Sequence, residues 1–141
     1  MTDLDPVQIL ASFRQYGHNA LTGVVYHAHG DDWVEMTLPY RQALVGDEET
    51  GILASGPIFT LMDMVTSTSV WIKSGVLRPQ ATLDLRVDYL RPAEPGKNVI
   101  GRGECYKLTR SIAFVRGEAH DGDPAHPIAH VAGTFMFMSA A

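Results

Sequence analysis

Residues 57–72, PIFTLMDMVTSTSVWI, make a helix-length run with no Gly or Pro after Pro57 and apolar residues on nearly every side. A helix of that kind cannot lie on a surface; it has to be wrapped. Pro57 suits a first helical turn and Ser55 is placed to cap it. One ionisable residue, Asp63, stands at its centre. Burying a carboxylate costs several kcal/mol unless it is paired, hydrogen-bonded or protonated, so the position needs a reason.

The rest of the chain supplies the wrapping. Asp5 as N-cap, Pro6 and the stripe Val7, Ile9, Leu10 and Phe13 predict a short amphipathic helix over residues 6–17, ended by Gly17. LTGVVYHA (21–28), the turn HGDD and WVEMTLP (33–39) predict a hairpin. Residues 39–55, rich in turn residues and acids, read as a long connection. After the helix come ATLDLRVDYL (81–90), NVIGRGECYKL (98–108), SIAFVRGEAH (111–120) and HPIAHVAGTFMFM (126–138), separated by turn residues. In the first of these, Leu83, Leu85, Val87 and Tyr89 fall on one face, and Thr82, Asp84, Arg86 and Asp88 on the other. The expected plan is α+β: one domain over residues 1–141, with an antiparallel sheet around one helix.

Composition excludes several classes. A net charge of −5 argues against nucleic acid as the main partner. No apolar run reaches membrane-spanning length, and the acidic start MTDLDPVQIL lacks the basic and apolar regions of a secretory signal. A lone cysteine, Cys105, makes no internal disulfide and fits a reducing, cytoplasmic setting. Residues 86–116 nevertheless hold seven of the eleven Lys and Arg against three of the sixteen acids. Solvated strand edges or a surface for a phosphorylated small molecule both explain that excess.

Taken together, ASGPIFTLMD, LDLRVDYLRPAEPG, TRSIAFVRGEA and AHVAGTFMFM resemble, in order and spacing, the hotdog-fold acyl-CoA thioesterases of the phenylacetate-degradation branch, over residues 15–138. The resemblance implies a six-stranded sheet curled around the central helix, a homodimer with its sheets side by side or a dimer-of-dimers homotetramer, and an active site between subunits. It implies that Asp63 is the catalytic carboxylate, as general base on water or as nucleophile. Ser55 and Gly56 would offer backbone N–H groups to the oxyanion, where the helix dipole also favours negative charge. Thr82 falls where some relatives carry a serine near the water. Arg91, Lys107 and Arg110 would meet the phosphates of coenzyme A, which enters as part of the substrate; no separate cofactor is implied.

The helical period sets Thr60 and Ser67 on the stripe of Asp63, one turn to either side, where hydroxyls can hold a carboxylate or simply permit close packing. The chain also departs from the family pattern. Relatives often carry His-Gly-Gly where this sequence has Ala54-Ser55-Gly56, and Asn or Gln where it has Glu48. A non-catalytic acyl-CoA-binding module is therefore the second reading, and a hotdog hydratase or dehydratase a weaker third, since no histidine stands immediately before the helix. The pairs His27/His29 and His126/His130 lack a third ligand at zinc spacing, and no metal site is expected. Cys105 reads as a core thiol.

Overall fold

The computed structural model describes residues 5–12 and 15–139. Helix α1 spans Pro6–Ser12, opened by the Asp5 carboxylate, which accepts the Val7 N–H. Phe13, counted in the apolar stripe, lies outside the described residues. Gly17 starts a second short helix, α2 (Gly17–Thr22), where the sequence suggested an end. That helix covers the residues expected to begin the first strand. Gly23, at φ 75°, closes it by returning its N–H to Asn19 O, so strand β1 begins only at Val25 (Val25–His29). Strand β2 (Trp33–Leu38) completes the expected hairpin.

The long connection contains a 3₁₀ turn, Gln42–Leu44, and a miniature hairpin of β3 (Val45–Asp47) and β4 (Ile52–Leu53). It delivers the chain to the central helix α3 (Ser55–Ser74). Strands β5 (Gln80–Tyr89), β6 (Val99–Leu108), β7 (Ile112–His120) and β8 (Ala129–Phe137) follow. The six long strands form one antiparallel sheet in the order β1-β2-β6-β7-β8-β5, curled around α3 as a hotdog fold. None of the described helices is long and apolar enough to cross a membrane.

Packing explains why α3 sits where it does. Leu61, Met62, Val65 and Val70 are fully buried, and burial of such side chains contributes about 1.5–3 kcal/mol each. Thr66, Thr68 and Ser69 are buried as well, but each hydroxyl donates to a carbonyl of its own helix and leaves no orphan. At Gly103 of β6 a Cβ would stand 2.4 Å from the Val65 carbonyl carbon, so only glycine lets the helix lie this close to the sheet.

Strand β5 is an edge, and its pairing departs from simple alternation. Thr82 pairs with Phe135 and Asp84 with Thr134, leaving Leu83 as an extra residue in a bulge. The bulge moves Leu83 off the inner face, where it is half exposed, and turns Thr82 and Gln80 inward beside Leu85 and Val87. The expected faces therefore hold from Asp84 onward and invert before it.

Candidate active site

Asp63 is half-buried on α3 and faces the inner side of β5. Thr82 Oγ1 donates to its Oδ1 across 3.1 Å. Burial pushes the carboxyl above the ordinary aspartate value, and the Thr82 hydrogen bond pulls it part of the way back. The carboxylate makes no ion pair among the described residues. A base in a partly dry setting, with one donor and no cation, suits proton abstraction from water.

The hydroxyls on its helical stripe do not reach it. Thr60 donates to Gly56 O and meets His18 Nε2 at 2.9 Å; Ser67 donates to Met64 O. Thr82 comes from another element and supplies the contact instead. Next to it on the inner face, Gln80 Nε2 donates to Ser67 O at 2.7 Å, while its buried Oε1 has no partner among the described residues.

At the start of α3 the N-cap is Ala54, and no side chain caps the helix, so Ser55 is the first helical residue and not the cap. The Ala54 N–H is taken by Leu44 O. Pro57 has no N–H, and the helix itself engages Ile58. Two adjacent donors, the N–H groups of Ser55 and Gly56, thus remain without an acceptor among the described residues, and both residues are exposed. An uncapped start costs about 1 kcal/mol relative to a Ser or Asp cap, and here it keeps both donors open. A cavity of about 330 Å³ lies against this end, lined by Ile52, Ser55, Ile58, Tyr89 and Pro92 among others. Tyr89 donates its hydroxyl to Ser55 O at 3.1 Å, and burial pushes its phenol above the usual value, so it stays a donor.

The cations divide. Arg91 forms a bidentate pair with the buried Asp121 at 2.7 and 3.0 Å, and also donates to His126 O and Pro92 O. Its guanidinium ties two loops together through these bonds. Glu94, Asp121 and Asp123 border the adjoining cleft together with Arg91 and Lys97, so that cleft carries no positive excess. Lys107 and Arg110 are exposed at the far end of β6 and its turn, without ion pairs among the described residues.

Glu48 is exposed at the tip of the miniature hairpin. Cys105 is fully buried, and burial pushes its thiol up. Among the described residues no three His, Cys, Asp or Glu side chains converge as a metal site. His27 instead lies 3.9 Å from Glu35, and His29 meets the Tyr26 hydroxyl at 2.8 Å. Sequence reasoning did not single out Tyr89, Gln80 or His18 for the site. Tyr89 has a signal in the Tyr-Leu-Arg-Pro run; the other two have none.

Comparison with known proteins bears on the family and the fold. The family model of the thioesterase superfamily matches residues 50–128. A crystal structure of a Pseudomonas aeruginosa protein is 40% identical, covers 94% of this chain and 96% of its own, and superposes with a TM-score of 0.82. A thioesterase from Haemophilus influenzae is 19% identical over 94% and 90% of the two chains, with a TM-score of 0.83. A phenylacetic acid degradation-related protein from Ralstonia eutropha is 24% identical over 83% and 86%, at 0.68. These last two share the fold. No curated protein sequence matches significantly. With the family model spanning more than half its length, and a relative 40% identical along nearly all of it, the chain belongs to the thioesterase superfamily.

Proposed function

We infer that the protein hydrolyses an acyl-CoA thioester, with a medium-chain or aromatic acyl group, to the free acid and coenzyme A. The observation that carries this reading is Asp63: a lone, half-buried acid held by one hydroxyl in an otherwise apolar helix. Its carboxylate takes a proton from water as the water oxygen bonds to the thioester carbon. The negative charge moves to the carbonyl oxygen, where the Ser55 and Gly56 N–H groups receive it. Collapse of that adduct breaks the carbon–sulfur bond, and the proton on Asp63 passes to the departing thiolate. Direct attack by Asp63 on the carbon is the variant, with water then cleaving the anhydride.

One chain cannot assemble these parts. Ser55 and Asp63 are eight residues apart on the same helix, about 12 Å along its axis, too far for one carbonyl and one water. A second copy, joined along the unpaired edge of β5, would set its own helix start opposite Asp63. The working unit is accordingly a homodimer, alone or paired into a tetramer, of one domain per chain. Lys107 and Arg110 remain as cations for the coenzyme A phosphates; Arg91 is withdrawn from that role. Nucleic acid has no part in this reading, and the reducing cytoplasm suits a lone buried thiol.

A non-catalytic acyl-CoA-binding module is the second reading, favoured by Ala54, which brings no imidazole to orient the thioester. Free-thiol release from short, long and aryl acyl-CoAs separates the two. Release that collapses in Asp63→Asn supports hydrolysis; tight binding without release supports the module; equal release by both proteins removes Asp63 from the mechanism.

A further inference from the structure

Tyr89 has a place in the molecule that hydrolysis as described does not use. It is the last residue of β5, it is 46% exposed in the wall of the cavity at the start of α3, and its hydroxyl donates to the carbonyl of Ser55. That carbonyl belongs to the same peptide unit as the N–H of Gly56. In a trans peptide the two groups point in opposite directions, so a hydrogen bond that fixes the C=O also fixes the N–H. Such a bond draws electron density from the amide, and hydrogen bonds in series strengthen one another by roughly 10–30% per bond. The helical ladder engages the Ser55 carbonyl through the Phe59 N–H, and Tyr89 adds a second donor to the same oxygen from outside the helix. Ala54 gives no cap, and Gly56 is the residue least restricted in its backbone.

We propose that Tyr89 is a positioning residue that orients and polarises the Ser55–Gly56 peptide, making the Gly56 N–H the stronger of the two oxyanion donors. The proposal rests on the hydrolytic reading of this site. It assigns the phenol a role through the backbone and no contact with the reacting atoms. The developing oxyanion is held more tightly than the ground-state carbonyl, so the effect falls on kcat and spares KM.

The test compares wild type, Asp63→Asn and Tyr89→Phe in thiol release, melting temperature and the amide proton shift of Gly56. In Tyr89→Phe, kcat falls roughly tenfold with KM unchanged, a fraction of the 10²–10³ seen when a whole oxyanion donor is removed. The Gly56 amide proton moves upfield without substrate, which a merely structural ring would not cause. A kcat at the wild-type level, or an unmoved Gly56 resonance, overturns the proposal. If Asp63→Asn abolishes release while Tyr89→Phe matches wild type, the role of Tyr89 alone is lost. If wild type releases no thiol, or Asp63→Asn matches it, the hydrolytic reading fails and Tyr89 falls with it. Should Tyr89→Phe melt early, 3,5-difluorotyrosine at position 89 decides at about pH 6, where its more acidic hydroxyl is still largely protonated. A raised kcat supports the proposal and an unchanged one overturns it.

Discussion

Thr82 reaches Asp63 only because Leu83, the next residue along β5, bulges out of the sheet. Its hydrogen bond is the one contact that lowers the pKa of an acid otherwise raised by burial. Thr82→Val keeps the shape and removes the donor, so the carboxyl moves further above its ordinary value of 3.8. The acidic limb of kcat/KM is expected to move to higher pH, with the plateau rate reduced by less than tenfold. Thr82→Ser restores the wild-type profile. A profile unmoved in Thr82→Val would detach this contact from the base.

The same raised pKa makes Asp63 a cost to the fold. For an acid whose folded pKa exceeds its unfolded one, the stabilising contribution is complete below the unfolded pKa and is lost as pH rises through the folded value. Asp63→Asn carries no such loss. Its melting temperature should exceed that of wild type at neutral pH, and the gap should close as pH falls towards 3.8. Thermal scans across that range check it. A carboxylate held at the expense of stability is a common feature of active sites.

Much of this was legible in the sequence, and the failures have physical causes. The four C-terminal strands and their turns follow from alternation and from Gly, Pro and Asp at the breaks, all of which are local signals. Asp63 stands out because nothing around it in the chain is charged. The Leu83 bulge is not local: it is imposed by pairing with β8, some fifty residues away, and no glycine marks it. Helix α2, at six residues, is too short to show a period, and Gly17 serves as well for a start as for an end. Thr60 and Ser67 lie on the right stripe, but their hydroxyls turn to backbone carbonyls within one turn, as short polar side chains in helices tend to. The Arg91–Asp121 pair was not legible because Asp121 is 30 residues on and invisible to a reading of charge runs.

That pair yields a prediction about stability, not about substrate. Asp121 is 8% exposed and accepts from Arg91 and from the Glu94 N–H. The Arg91 guanidinium beside it holds its carboxyl well below the usual range. A depressed acid contributes stability above its unfolded pKa and loses it only as pH falls through the folded value. Arg91→Met leaves a buried carboxylate without its cation and should lower the melting temperature by roughly 5–10 °C at neutral pH. The deficit should shrink once the medium drops below about pH 4, where the unpaired acid is protonated. KM for acyl-CoA should stay within twofold of wild type. A large rise in KM with an unchanged melting temperature would return Arg91 to the coenzyme.

The roughly 12 Å between Ser55 and Asp63 along one helix makes the proposed shared site testable by mixing two inactive chains. Ser55→Pro removes one oxyanion N–H at the position where helices best accept proline, and Ala54 before it already has the extended backbone that proline requires, φ −61° and ψ 152°. Its Asp63 is intact. Asp63→Asn has the complementary defect, with both amides intact. In a mixed dimer, one of the two sites draws Asp63 from the first chain and the amides from the second, and is whole. Equal amounts, unfolded and refolded together, give half mixed dimers, so about a quarter of wild-type activity should return. If base and amides belonged to a single chain, every site in the mixture would carry one of the two defects, and no activity beyond that of the separate variants would appear.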